Sequence, residues 1–273
     1  MYKDILVHLD NSSSCEKNLE STVKLAETFD SHVTGLFVIE TIQIPAYVEV
    51  AMGAELLEQN RRECLLQAKV IVDKFQKLMD RHQIKNEARI VDGHLISRLI
   101  EQAHYSDLVV VGQENPNDLN DISLSAINQL VMSCGRPVLV VPYIGSGQTI
   151  GNRVLLAWNE SREAVRALHD AMPILKSAQE VIVMNVNSKK TNERRLSSDI
   201  GVHLARHDIN VKINNTISSD LSVGDTLLSR AVDLNVDCIV MGAYGHSRMR
   251  EVVLGGATRH LLQHMTVPTL FSH

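Results

Sequence analysis

The chain repeats its own plan. Ile5-Leu6-Val7-His8-Leu9-Asp10 is a short apolar run ending in a polar residue, and Val154-Leu155-Leu156-Ala157-Trp158-Asn159 repeats it in the second half. Each run leads through serine into an amphipathic helical pattern, Cys15 to Phe29 in one copy and Arg162 to Lys176 in the other. Ser106-Asp107-Leu108-Val109-Val110-Val111-Gly112 then matches Val236-Asp237-Cys238-Ile239-Val240-Met241-Gly242. Near the ends, Arg136-Pro137-Val138-Leu139-Val140-Val141-Pro142 matches Thr266-Val267-Pro268-Thr269-Leu270-Phe271. A chain of 273 residues that carries one plan twice divides into two domains of ordinary size.

Each copy alternates strands with helices. In the second copy the strands fall at Val154–Trp158, Val181–Val186, Val211–Ile217, Cys238–Met241 and Thr269–Phe271, and the last two helices at Val223–Leu234 and Gly256–His264. The strands are continuous apolar runs, which suits parallel sheets covered on both faces. The fold class is therefore α/β, with two tandem doubly wound parallel sheets. Gly145-Ser146-Gly147-Gln148-Thr149-Ile150-Gly151 has the composition of a short flexible linker, so the domains are set at 1–144 and 152–273. The final strands, Pro137–Val141 and Pro268–Phe271, are expected sheet edges that want covering.

A net charge of −5 gives no footprint for nucleic acid. No stretch approaches the roughly 18 apolar residues of a spanning helix, and the N-terminus lacks a signal-peptide pattern. Cys15, Cys64, Cys134 and Cys238 form no CxxC pair, so they read as free thiols in a reducing cytoplasm. The expectation is a cytoplasmic chain without membrane or nucleic-acid partners.

The informative segment runs from Met241 to Thr258. Gly242 and Gly245 follow a buried strand and let the backbone turn and approach a ligand. Gly255 and Gly256 open the next helix, with Thr258 in its first turn, where free N–H groups and the helix dipole suit a phosphate. His246, Ser247 and Arg248 are further donor candidates, and Ala157, Trp158 and Asn159, ending the first strand, are candidates for the other wall. There is no GxxxxGK[ST] P-loop, and no glycine fingerprint follows the first strand.

Gly242, Gly245 and Gly255, separated by two and nine residues and followed by Gly256-Ala257-Thr258, resemble the universal stress protein family. The paired Asp107–Gly112 and Asp237–Gly242 segments resemble it too, and two such domains in one chain are similar to its tandem members. The resemblance implies two five-stranded units of the HUP, adenine nucleotide alpha hydrolase-like class, with strand order 3-2-1-4-5. It implies ATP, or ADP or AMP, between the ends of strands one and four, with Mg²⁺ held mainly by phosphates and water. On that resemblance Asn159 contacts the adenosine, Val186 adds an apolar contact, and Met241 and Gly242 line the base and ribose. Gly245, Gly255, Gly256, Ala257 and Thr258 would surround the phosphates. Two residues depart from the family pattern: Asn159 stands where Asp is usual, and Gly256 where Ser or Thr is common. The resemblance also implies pairing of the last strands across a pseudo-two-fold axis, here inside one chain. A homodimer of the whole chain stays open.

The first copy reads Gly112-Gln113-Glu114-Asn115 through Ser125-Ala126, so Asn115 and Ser125 replace loop glycines and Glu114, Asp118 and Asp121 add negative charge. It is expected to be structural or to take a different ligand. The helix carrying Leu56, Leu57, Cys64, Leu65, Ala68, Ile71, Val72, Phe75 and Leu78 on one face is expected to pack on the sheet, with an apolar groove beside Ile42–Met52 as the alternative. His203 with His207, and His260 with His264, sit four apart but lack a legible third ligand, so no metal site is assigned. Ser161 reads as a helix cap and Glu251 as a surface carboxylate. No catalytic residue is legible. The reading is a nucleotide-binding stress-response regulator, with slow ATP hydrolysis nested within it and a nucleotide-free, chaperone-like scaffold as the alternative.

Overall fold

Runs such as Leu108–Gly112, Val138–Val141 and Thr269–Ser272 are buried at every position. They have no polar face to turn to water, so helices must cover both sides of the sheet they form. In the computed structural model, residues 1–40, 54–186, 193–217, 221–245 and 256–273 are described, with 54–57 and 193–198 described by backbone alone. In chain order the described elements are β1 (Asp4–Leu9), α1 (Cys15–Phe29), β2 (His32–Glu40), α2 (Ala54–Arg81), β3 (Asn86–Gly93), α3 (Leu95–Ala103), β4 (Leu108–Gly112), α4 (Leu124–Ser133) and β5 (Val138–Val141). The second half follows with β6 (Arg153–Ala157), α5 (Arg162–Asp170), α6 (Met172–Ser177), β7 (Glu180–Val186), α7 (Glu193–Ala205), β8 (Val211–Thr216), α8 (Val223–Asp233), β9 (Cys238–Gly242), α9 (Gly256–His264) and β10 (Thr269–Ser272).

The strands form one ten-stranded sheet in the order β3-β2-β1-β4-β5-β10-β9-β6-β7-β8. Within each half the order is the expected 3-2-1-4-5, with all pairs parallel. The expected pairing of the last strands within one chain joins the two five-stranded halves into a single sheet, because β5 and β10 run antiparallel side by side. Thr269 lies opposite Val140, Leu270 opposite Leu139, and Phe271 opposite Val138. The two strands read as exposed edges thus cover each other. Both faces of the sheet carry apolar clusters that draw on both halves. Ile5, Phe75, Leu156 and Ile174 share one, and Leu6, Leu130, Ile239 and Phe271 the other.

Three local expectations are adjusted. The single helix read over Arg162–Lys176 breaks at Ala171 into α5 and α6. Pro173 has no N–H to give the turn before it, so the backbone restarts there. The linker expected to be flexible is tied at both ends. Lys24 Nζ donates to the Gly147 carbonyl at 2.6 Å, Ser21 and Ser146 pair through their hydroxyls at 2.8 Å, and Thr149 Oγ1 donates to Asp237 at 2.6 Å. On α2, Ala68, Phe75 and Met79 are fully buried and Cys64, Leu65, Ile71, Val72 and Leu78 pack against the core, as expected of a sheet-covering face. Ile42–Met52 and the Leu56 and Leu57 side chains lie outside the described residues.

The repeated aspartates have a structural reason. Asp237 accepts from the Gly151, Asn152 and Arg153 N–H groups at 3.0–3.1 Å, which anchors the start of β6. Asp107 does the same for β1, accepting from the Lys3 and Asp4 N–H groups at 2.6 and 3.2 Å. Among the described residues, no helix is long and apolar enough to cross a membrane.

Candidate functional site

The strand order reverses beside β1 in the first half and beside β6 in the second. At such a point the crossover helices diverge and leave a crevice outside the strand ends. In the second half that crevice is a cavity of about 410 Å³, within the range of small-molecule sites.

The structure brings most of the sequence candidates into its wall. Ala157, Trp158 and Asn159 come from the end of β6, Val186 from the end of β7, and Met241 and Gly242 from the end of β9. Gly245 follows in the loop, and Gly256, Ala257 and Thr258 form the first turn of α9. His246, Arg248 and Gly255, with Ser247 and Glu251, lie outside the described residues.

Sequence reasoning missed Ser161, Met184, Ser222, Val223, Leu227 and Tyr244, which also line the cavity. Ser161 was read only as a cap, and it is one: its Oγ accepts from the Ala164 N–H at 3.1 Å. Ser222 caps α8 in the same way, accepting from the Asp225 N–H at 3.1 Å. The serine-then-helix pattern after a strand was the available signal for Ser222.

Three helices therefore point their N-termini at one cavity: α5 at Ser161, α8 at Ser222 and Val223, and α9 at Gly256. Each end carries about half a positive charge. The first-turn N–H groups of α9 have no acceptor within their own helix. No Asp, Glu, Lys, Arg or His is among the described lining residues, and the Glu163 carboxylate stands behind Gly245.

The glycines differ in what they permit. A Cβ at Gly242 would lie 2.4–2.7 Å from the backbone of Glu163 and Ala164, so α5 can pass only over glycine. A Cβ at Gly245 would meet the Glu163 carboxylate and the Ser161 hydroxyl at 3.0 Å. A Cβ at Gly256 would meet nothing within 4 Å. Its side faces open space among the described residues, so none of them demands glycine there.

Two polar candidates are partly engaged already. Asn159 Oδ1 accepts from the Ser161 N–H at 3.1 Å, which closes the turn after β6 and leaves its amide nitrogen for other partners. Thr258 is buried, and its Oγ1 accepts from the Tyr244 N–H at 3.4 Å. The hydroxyl expected to face a phosphate thus also steadies the loop. Tyr244 takes the left-handed conformation at φ 61°, and its hydroxyl bonds to Asn128 Oδ1 of α4 in the other half. Burial pushes its pKa up to about 12.

A family model described as the universal stress protein family matches residues 1–142 and 188–273. The chain belongs to the universal stress protein family. It is a tandem member, with two such units in one chain. It is 21% identical to the universal stress protein Slr1230 of Synechocystis, across 98% of this chain and 99% of that one. A universal stress protein from Archaeoglobus fulgidus shares the fold with a TM-score of 0.79 at 18% identity, covering 98% of this chain and 97% of its own. A putative universal stress protein from Pseudomonas aeruginosa superposes with a TM-score of 0.61 at 15% identity, covering 99% and 93%.

The same place in the first half is built differently. Its cavity, of about 610 Å³, is walled in part by Asp10, Glu40 and Asp121. Asp121 accepts from the Asn115 N–H at 3.1 Å and from the Ser14 hydroxyl at 2.7 Å, and Asp118 accepts from the Ser13 N–H at 2.7 Å. The loop's own carboxylates take up N–H groups that an incoming anion would need.

The two histidine pairs find partners among neighbouring side chains. The His203 ring meets His207 edge-on at 4.9 Å and His169 edge-on at 5.8 Å, and His260 Nε2 donates to Asp225 at 2.8 Å. Among the described residues, no group of three or more His, Cys, Asp and Glu side chains is arranged to hold a metal ion. Cys15, Cys134 and Cys238 are buried free thiols, and burial pushes the Cys15 pKa up to about 12.

Proposed function

We propose that the second unit binds an adenine nucleotide, with ATP as the leading ligand, and that the chain acts as a nucleotide-responsive regulatory protein. The observation that carries this reading is the convergence of three helix N-termini on one cavity whose described wall holds no charged side chain. Such a site attracts phosphates through backbone dipoles and N–H groups, without needing a lysine. Met184, Val186, Leu227 and Met241 offer an apolar surface that fits a purine, and Asn159 a neutral polar contact for the ribose. In the proposed pose the phosphates lie over Gly245 and the first turn of α9, and Gly256 leaves them room. His246, Arg248 and Gly255 belong to the same proposal as phosphate contacts.

The described wall offers Mg²⁺ no carboxylate, so a bound ion would be held by phosphates and water. It also offers no general base, which favours binding and signalling over fast hydrolysis. The units are proposed to span 1–144 and 152–273, with the first not binding nucleotide. A cytoplasmic location, without nucleic acid or membrane as partner, belongs to the same reading, and homodimerisation remains compatible with it.

Two measurements on the purified full chain test this. Heat denaturation should release adenine nucleotide, or added ATP should raise Tm, and Gly245→Val should abolish both. A wild-type chain that releases no nucleotide and shows no shift with ATP would overturn the reading in favour of a nucleotide-free scaffold.

A further inference from the structure

We propose that the two crevices are coupled, and that Tyr244 carries occupancy of the nucleotide cavity across the seam to α4 of the first half. The inference rests on the nucleotide reading above. Tyr244 lines that cavity. Its N–H donates to Thr258 Oγ1 at 3.4 Å within its own unit, and its hydroxyl donates to Asn128 Oδ1 on α4. Thr258 and Asn128 hold matching positions, each three residues after the repeat pair Gly255 and Ser125. One residue thus bonds the same place in both units. A tie runs the other way as well. Gln113, next to Gly112, is 1% exposed, and its Nε2 donates to the Leu262 carbonyl on α9 at 3.0 Å. The loop after the fourth strand of each unit is therefore bonded to the last helix of the other.

Tyr244 holds φ at 61°, a left-handed conformation that is strained for a bulky residue and persists only where its surroundings fix it. The bonds to Thr258 and Asn128 fix it, with the His273 ring edge-on at 6.4 Å. The first of these bonds is the one a ligand can change. Thr258 Oγ1 spends a lone pair on the Tyr244 N–H, so its own proton can be given to a phosphate at the first turn of α9. Giving that proton polarises the hydroxyl and strengthens the bond it accepts. Occupancy thus tightens Tyr244 in place, and the tightened ring holds Asn128. Asn128 is buried, and Ser125, Ala126 and Gln129 of the same helix wall the first-half cavity. A ligand in the second unit is thereby felt at the crevice of the first.

Hydrogen exchange of the full chain, read by mass spectrometry with and without ATP, tests the coupling, and calorimetric titration scores ATP binding separately. ATP should slow the amides of α4 by about fivefold or more beyond those of α1 in the same unit. The comparison with α1 removes the general stabilisation that any bound ligand gives. Asn128→Ala takes away the acceptor, and should bind ATP yet lose the excess protection of α4. Tyr244→Phe takes away the donor and should lose it too, so one variant that fails to fold leaves the test standing. An ATP-bound wild type in which α4 is slowed no more than α1 would overturn the proposal. So would an excess that survives in either variant. Absence of ATP binding would remove the nucleotide reading and this inference together, whereas binding with an unchanged α4 would remove this inference alone.

Discussion

Gly242 and Gly256 belong to one sequence pattern but answer to different constraints. At Gly242 a methyl group would be driven into the α5 backbone 2.4 Å away, so Gly242→Ala should lower the unfolding free energy, measured by urea denaturation, by about 1–3 kcal/mol. At Gly256 the added side chain meets no described atom, so Gly256→Val should change stability by only about 0.5 kcal/mol in the same measurement. His8 gives a pH dependence. Burial holds its folded pKa below the unfolded value, with Asp10, Glu40 and Asp121 opposing, so the unfolded chain takes up the proton first. Its contribution is intact above about pH 6.5 and is lost as pH falls below that. Denaturant midpoints at pH 7.5 and 5.5 should therefore fall less on acidification in His8→Gln than in the wild type. Gly242 was legible in the sequence because only glycine tolerates so close an approach. Met184 and Leu227 were not, because an apolar residue gives no sign of which wall it faces until strand order is known.

Elements were legible where apolar runs were long, and misread where one residue interrupts the pattern. The break between α5 and α6 was written in Pro173, but the amphipathic pattern on either side continues through it. The repeated Asp107 and Asp237 were visible as a motif. Their work, anchoring β1 and β6 through backbone N–H groups, needed coordinates, because the partners are far away in sequence. A similar long-range tie joins the loop after β9 to α4 through the Tyr244 hydroxyl and Asn128, which is 8% exposed. Tyr244→Phe removes the donor and leaves that amide oxygen buried, at a cost of about 1–3 kcal/mol. Thermal denaturation of the variant checks this, and an unchanged Tm would mean that the tie contributes nothing.

Across the whole molecule, the antiparallel seam of β5 and β10 turns two units into one sheet with apolar clusters drawing on both halves. Class, repeat and within-unit order were readable from the sequence. The seam was foreseen only as an internal pairing of edges, since nothing in Val138–Val141 or Thr269–Ser272 names its partner. Such a shared core should unfold as one body. Trp158, the sole tryptophan, reports the second half, so its fluorescence transition in urea should coincide with the far-UV circular dichroism of the whole chain. Separate transitions would show units that fold independently. The two halves then differ in their crevices, one with three helix N-termini and no charge in its described wall, the other carrying its own carboxylates. Calorimetric titration with ATP tests that asymmetry most directly. The expected result is one nucleotide per full chain, retained in Asp121→Asn and lost or strongly weakened in Gly245→Val. No binding, two nucleotides per chain, or binding indifferent to Gly245→Val would contradict it.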